Sequence, residues 1–366
     1  MVQRIMCIIV LCGVICCDSN IQSTGEGIPF VFSESPKYSE GQFVQLEEIH
    51  KIQLDGGERY YISDVYMIDA DEDKNLYILD EYKSTITVFD KNGEFLKVIA
   101  EPGQGPYELE RPRSMSIHDG SIFVYQESYN TNSHGIKELG IKERYSKFNV
   151  LSARNFRIFR SYKDHFLTVQ EVSKDNVDNY HLLCYDKNFT TPDTVTTYCY
   201  VSDPMIFENI TPEYIVAQNS KDHIYFPADF SEYKVNVFMP DGKLVRSFGR
   251  EYAPLPYSDR QNAWAKERFS RVRENRRPTI PEDTPVVRFI MVDDRDYIWI
   301  VVGECTADCS EDFQVNTTVD IFNEHGEFLY TFSTPYIGPR SVIKNGRLYS
   351  SPLEEDYYIR VFKINY

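Results

Sequence analysis

Asp71-Glu72-Asp73-Lys74-Asn75-Leu76-Tyr77-Ile78 reads as a polar turn that runs straight into a strand, and the chain writes this pattern three times. Asn219 to Phe226 and Asp293 to Ile300 repeat it at matching length, with Tyr77, Tyr225 and Trp299 in register. Each copy is followed by a strand that ends in a turn and restarts: Val88-Phe89-Asp90-Lys91-Asn92-Gly93-Glu94-Phe95, then Val237 to Leu244, then Ile321 to Phe328. The glycine of each supplies the positive φ that such a hairpin needs. Self-similarity of this kind marks a repeat architecture and must be recognised before domains are drawn.

A third element, Pro112-Arg113-Ser114-Met115 and Pro339-Arg340-Ser341-Val342, leads each time into a short strand, a glycine turn and another strand. The elements add up to four antiparallel strands per unit, which is the blade of a β-propeller. Units begin near Tyr66, Arg113, Arg157, Tyr214, Arg288 and Arg340, 44 to 74 residues apart, which gives six blades. The last of them has three strands, whereas Phe43-Val44-Gln45-Leu46-Glu47-Glu48-Ile49 is an unassigned strand-like run. That run is expected to close the ring as the missing outer strand and so remove an exposed edge. The expected fold is therefore all-β: a six-bladed propeller of four-stranded antiparallel blades over residues 42–366, closed by an N-terminal strand, with one helical insertion at about 254–281.

Composition agrees with this reading. The 366 residues are 42% hydrophobic and 26% charged, and 50 of them are Tyr or Phe, as expected when aromatic side chains alternate with polar ones on strands. With 39 Lys and Arg against 56 Asp and Glu, the net charge of -17 argues against a protein that grips nucleic acid.

Residues 1–17 have another character. One basic residue, Arg4, precedes an apolar run from Ile5 to Cys16, the layout of a secretory signal peptide and too short to span a bilayer. Its end, Val14-Ile15-Cys16-Cys17-Asp18, resembles the lipobox of bacterial lipoproteins, in which the cysteine at the cleavage point is lipidated. Cys17 fits that position best and Cys16 is the alternative; an ordinary cleaved signal peptide is the bland reading. Residues 18–41, rich in Ser, Gly, Glu and Pro, are expected to form a tether between anchor and body. The expected address is outside the cytoplasm, on a membrane by its lipid and without a spanning helix, at the periplasmic or cell-surface face of an outer membrane.

The segment Gly103-Gln104-Gly105-Pro106-Tyr107-Glu108-Leu109-Glu110-Arg111-Pro112, together with Asn75-Leu76-Tyr77 and Val88-Phe89, resembles the six-bladed β-propeller lipoproteins common in Bacteroidota, themselves similar to NHL-repeat propellers. The resemblance implies a fold and an exported lipid anchor, and no particular activity.

Few residues point to chemistry. The Gly103 to Pro106 loop lacks the Lys-Ser/Thr pair and the helix of a phosphate-binding loop, and reads as a connection between blades. Asp71, Asp73 and Asn75 open like a calcium loop, but Leu76 and Tyr82 stand where glycine and glutamate belong. His118, His165 and His223 fall near corresponding turns of consecutive blades, beside Asp119, Asp164 and Asp222. Such turn residues are ordinarily solvated, so neither a metal nor a cofactor is expected. Arg113, Arg157, Arg288 and Arg340 stand near the start of four inner strands, where Tyr66 and Tyr214 stand in the other two. Together they would make a cationic and aromatic channel mouth for a carboxylate or sugar acid, unless strand parity turns them onto neighbouring blades.

Cys184 and Cys199 flank a hairpin and are expected to face each other, while Cys305 and Cys309 can close a small loop; an oxidising compartment permits both disulfides. Within the insertion, Ser258 can cap a helix that Pro278 ends, with Ala265, Phe269 and Val272 on one stripe and an excess of arginines elsewhere. Three functions follow from different classes: a scaffold that binds a saccharide, peptide or envelope protein, a propeller lyase or hydrolase with a metal held by the histidines, and a structural subunit docking through the basic helix. The first needs the fewest assumptions, because no nucleophile motif is present.

Overall fold

The computed structural model describes residues 28–39, 41–127, 134–142, 146–150, 156–162, 165–174, 177–186, 188–189, 192–199, 215–228, 232–253, 256, 259–270, 286–302, 317–338, 340–350 and 357–366. Two N-terminal strands, β1 (Phe30–Ser33) and β2 (Gln45–Gln53), precede the first blade. Blade 1 holds β3 (Met67–Ala70), β4 (Leu76–Asp80), β5 (Thr85–Phe89) and β6 (Phe95–Pro102), with the short β7 (Glu108–Leu109) parallel to β6. Blade 2 is β8 (Pro112–His118), β9 (Ser121–Glu127), β10 (His134–Gly140) and β11 (Ser146–Val150). Blade 3 is β12 (Phe156–Tyr162), β13 (His165–Lys174), β14 (Val177–Asp186) and β15 (Asp193–Cys199). In blade 4, β16 (Ala217–Gln218), β17 (Ile224–Pro227), β18 (Lys234–Phe238) and β19 (Leu244–Arg250) are followed by the helix α1 (Asp259–Ser270). Blade 5 is β20 (Val287–Val292), β21 (Ile298–Val302), β22 (Thr317–Phe322) and β23 (Phe328–Thr334). Blade 6 has β24 (Val342–Lys344), β25 (Arg347–Ser350) and β26 (Tyr358–Asn365), and β2 completes it by pairing antiparallel with β26 from Gln45↔Asn365 to Gln53↔Tyr358.

Hydrophobic packing lies between blades. Side chains alternate across a strand, so each blade offers one set to the blade before it and one to the blade after. In β4, Leu76 and Ile78 pack toward blade 6 while Tyr77 and Leu79 pack toward blade 2. In β21, Ile298, Ile300 and Val302 join the blade 4 side, and Trp299 and Val301 the blade 6 side. Both faces are buried, which is why these strands read as continuous apolar runs and not as alternating ones. Among the described residues six apolar clusters result, one at each interface around the ring.

The turn repeat has a physical cause. Tyr77 and Trp299 are buried in these interfaces, and a buried aromatic with a polar tip needs a partner. Asp71 accepts from the Tyr77 hydroxyl at 2.9 Å and from the Asn75 amide N–H at 2.9 Å. Asp293 accepts from Trp299 Nε1 at 2.9 Å and from the N–H of Tyr297 at 3.0 Å. Asn219 meets the same need from the other side, its side-chain amide donating to the Tyr225 hydroxyl oxygen at 3.0 Å. One residue thus caps the turn and satisfies the aromatic six positions later.

The hairpin glycines meet two demands at once. Gly326 has φ +85°, and a Cβ there would lie 2.5 Å from Phe248 Cβ on the outer strand of blade 4. Replacing Gly326 with alanine should cost about 2–4 kcal/mol, combining left-handed backbone strain with overpacking against an atom fixed to the backbone. Equilibrium urea unfolding measures it; a change within about 0.5 kcal/mol, the size of an ordinary surface effect, would refute the argument.

The N-terminal segment departs from expectation. Part of the stretch 18–41 is built into the ring instead of hanging free as a tether. β1 pairs parallel with β19 on the outer edge of blade 4, from Phe30↔Ser247 to Ser33↔Arg250. Lys37 and Tyr38 then donate backbone N–H groups to Phe328 and Leu329 of blade 5, at 3.1 and 2.9 Å, before β2 reaches blade 6. Phe43 stacks on Tyr38 and meets Tyr297, Tyr330 and Tyr366 edge-on or tilted, so this strap is fastened by aromatic contacts.

The cysteine pairing also changes. The pairing of β14 with β15 places Cys184 opposite Asp193, and Cys199 opposite Asn179. The two cysteines therefore do not face each other; Cys184 is a free buried thiol whose pKa burial pushes up to about 12. Cys305 and Cys309 lie outside the described residues. The insertion does contain a helix, α1, but Val272 and the side chains of Ala265 and Phe269 are likewise outside them.

Candidate functional site

Strand parity should send most inner-strand side chains into blade interfaces. Three positions fall outside the regular strand pairing. In β8, Pro112 pairs with Gln126 and Ser114 with Tyr125; in β12, Phe156 pairs with Gln170 and Ile158 with Val169; in β20, Val287 pairs with Val302 and Phe289 with Val301. The residues left over are Arg113, Arg157 and Arg288. Each is the extra residue of a β-bulge near the start of an inner strand, a device that redirects a side chain and interrupts the ladder locally. Arg340 and Tyr66 stand just ahead of β24 and β3, at the same end of the channel. Tyr214 and the side chain of Arg157 lie outside the described residues.

The electrostatics of this end are mixed rather than simply cationic. Arg113 forms an ion pair with Glu81 from the β4–β5 turn of blade 1, and its Nε lies 3.5 Å from Glu127 Oε2. Arg111 reaches the same Glu127 oxygen at 3.5 Å. Burial pulls Arg113 down, but Glu81 and Glu127 outweigh it and hold the guanidinium above its ordinary value. Burial likewise raises Glu81, against the pull of Arg113. Arg340 pairs with Asp64 Oδ1 at 3.0 Å, donates to the Val65 carbonyl at 2.5 Å and sits 5.9 Å from the Tyr66 ring centre. Two of the arginines expected to stand open thus tie blades 2 and 6 to blade 1. Arg288 differs: among the described residues it has no carboxylate partner, and its Nε is buried without a hydrogen bond.

Asp80, fully buried at the end of β4, holds this end of blade 1 in place. It accepts from the N–H and hydroxyl of Ser63, both at 2.7 Å, and from the Lys83 N–H at 3.0 Å. Tyr61 and Tyr82 project into solvent beside it, with Lys83 Nζ 4.2 Å from the Tyr61 ring centre. The counter-charges Asp64, Glu81 and Glu127 and the exposed tyrosines were not identified from sequence; Asp64, Glu81 and the tyrosines come from loops of blade 1, Glu127 ends β9 of blade 2, and no repeat spacing connects them to the arginines. Farther along the channel, Lys344 links three blades, at 3.0 Å from Asp69 Oδ1 and 2.8 Å from the Ile117 carbonyl.

The histidines do not come together. His118 stands opposite Ser121, His165 opposite Asp186, and His223 Nδ1 lies 3.5 Å from Arg246. Among the described residues, no three His, Cys, Asp or Glu side chains are placed to share a metal ion. The Gly103 to Pro112 loop joins blade 1 to blade 2: Glu108 accepts from the Gly105 N–H at 2.8 Å, and Lys137 Nζ donates to the carbonyls of Gly105 and Glu108.

Six blades, closed by a strand from the N-terminal side and bearing arginines at one end of the channel, define a six-bladed β-propeller. The chain belongs to the DUF5128 family, described as a 6-bladed beta-propeller, which matches residues 31–241. Among solved structures it is similar to a Bacteroides fragilis NCTC 9343 protein for which export has been proposed, at 11% identity and a TM-score of 0.55, covering 93% of this chain and 99% of that one. It is also similar to a DUF4221 family member from Bacteroides vulgatus ATCC 8482, at 15% identity and a TM-score of 0.53, covering 88% and 99%. No curated protein matches the chain.

Proposed function

We propose that the protein is an exported, lipid-anchored propeller that binds an organic anion, an acidic saccharide or an acidic peptide, at the arginine end of its channel. The observation that carries this reading is the bulge: the same structural irregularity selects an arginine in blades 2, 3 and 5. A bulge that only bent a strand would have no reason to carry the same guanidinium each time, and Arg288 has a buried nitrogen still in need of an acceptor. Paired carboxylates around Arg113 and Arg340 then serve selectivity, because they repel anions that do not reach Arg288. The anchor rests on Cys17 and the apolar run before it, and is supported by the export proposed for the Bacteroides fragilis neighbour.

The binding reading is tested by thermal shift with oligogalacturonate and with an acidic peptide, on a chain starting at Ser19 and on its Arg157→Gln, Arg288→Gln variant. A ligand at about 100 times its Kd stabilises the fold that binds it by roughly 2.7 kcal/mol. The parent should show a shift with one of the two probes, and the double variant should lose it. An equal shift in both proteins, or none with either probe, overturns the proposal. For the anchor, detergent phase partition of the full chain should find it in the detergent phase and Cys17→Ser in the aqueous phase; both proteins in the aqueous phase would refute lipidation.

A further inference from the structure

The opposite end of the channel holds a cavity of about 430 Å³, between the turns that follow the inner strands of blades 1, 5 and 6. Lys74 enters from blade 1, Asp293 to Arg295 from blade 5, Asn345 and Gly346 from blade 6, and Ile364 and Tyr366 close it along β26. Its volume suits one sugar ring with substituents, near the lower end of the range for small-molecule pockets.

Charge in this cavity is unevenly committed. Asp293 is fully used: one oxygen accepts from the N–H groups of Arg295 and Tyr297, at 2.8 and 3.0 Å, and the other from Trp299 Nε1 and the Tyr366 hydroxyl. Burial pushes its pKa up to about 6, so at neutral pH it remains mostly ionised and balances part of the positive charge around it. Asp294 accepts from the Gly346 N–H. Neither Lys74 nor Arg295 has an ion-pair partner among the described residues, and the Arg295 guanidinium lies 4.3 Å from the Tyr366 ring centre, which orients it. The cavity therefore offers two cations outside ion pairs, an amide and an apolar wall, beside the carboxylates of Asp293 and Asp294, on a protein of net charge -17.

Lys74 carries a second indication. It occupies the turn position that Asp222 and Asp296 occupy in blades 4 and 5, and all three adopt left-handed φ, +67°, +64° and +61°. Asp and Asn take that conformation more readily than Lys. Two copies of the turn line the cavity, those of blades 1 and 5, and the blade 1 copy has at this position a residue poorly suited to the backbone and well suited to an anion.

We infer that this cavity is a second ligand site, separate from the arginine end, which binds a monomeric sugar acid through Lys74 and Arg295. Asn345 and Asp294 are placed to meet its hydroxyls, and Ile364 its apolar ring face. The inference does not depend on the reading of the arginine end.

The experiment is calorimetric titration with galacturonate and, separately, with the neutral galactose, on the intact folded chain and on Lys74→Asn, Arg295→Gln and Arg288→Gln. Galacturonate should bind the parent and bind Lys74→Asn and Arg295→Gln at least about tenfold more weakly, with galactose weaker still on the parent. Lys74→Asn should melt no lower than the parent, since asparagine suits the turn, so its lost affinity would not reflect lost fold. Arg288→Gln should bind galacturonate normally. Absent binding to the parent, equal binding by Lys74→Asn, equally tight galactose, or a loss confined to Arg288→Gln would each overturn the proposal.

Discussion

Asp320→Ala is expected to remove about 3–5 kcal/mol of stability, the cost of breaking a buried ion pair from one side. Asp320 lies on β22 of blade 5, fully buried, and its Oδ2 accepts from Arg250 Nε and from the Tyr233 hydroxyl, both at 2.7 Å. Both donors belong to blade 4. The guanidinium is enclosed by Tyr233, Tyr252 and Phe328, at 5.0, 5.1 and 5.3 Å from their ring centres. Alanine would leave that cation and the Tyr233 hydroxyl without an acceptor, in a place where water reaches poorly. Burial, and after it the neighbouring Asp320, holds the Tyr233 phenol well above its ordinary value, so the hydroxyl cannot escape by ionising. Urea unfolding gives the number, and a loss under about 1 kcal/mol would place the pair among ordinary surface bridges. The companion variant Asp320→Leu with Arg250→Met should recover much of the loss, because apolar groups of similar volume often replace a buried pair at little cost.

Removing β2 should have the larger structural effect. A chain beginning at Leu54 lacks the strand that pairs with β26, exposes a sheet edge and loses the buried Val44 and Ile52. The blade 1 hairpin also loses its support, since Gly93 rests against His50 and Ile52. Such a chain should show no cooperative melting transition and should aggregate through the open edge. A chain beginning at Gln42 keeps β2 and loses only β1 and the strap before it; it should melt cooperatively, a few degrees lower than the parent. Differential scanning calorimetry separates the cases, and a sharp transition from the shorter chain would mean that ring closure contributes little.

What the sequence revealed and what it hid follow from the range of the forces involved. The turn repeat was legible because Tyr77, Tyr225 and Trp299 each need a polar partner six residues back, a purely local requirement. The closing strand was legible because an unpaired edge had to be filled. β1 was not: a parallel partner has no hairpin to announce it, and Phe30 to Ser33 lies among residues whose composition suggests a linker. The Cys184 and Cys199 register was missed because the turn between β14 and β15 falls earlier than a hairpin centred near Thr191 and Pro192, which sets Cys184 opposite Asp193 and Cys199 opposite Asn179. The arginines were found by position, but an extra residue in a strand leaves no mark in the alternation. Their carboxylate partners, Glu81 and Asp64, belong to blade 1 while the arginines belong to blades 2 and 6, so only the closed ring joins them.

The placement of β1 has a topographic consequence. The described chain comes onto the ring at Phe30, on the circumference at blade 4, and not over either opening of the channel. Entry at the circumference leaves both openings clear of the described N-terminal segment. The arginine end and the Lys74 cavity face in opposite directions, and under the proposed lipid anchor neither would have to be approached from the anchored side.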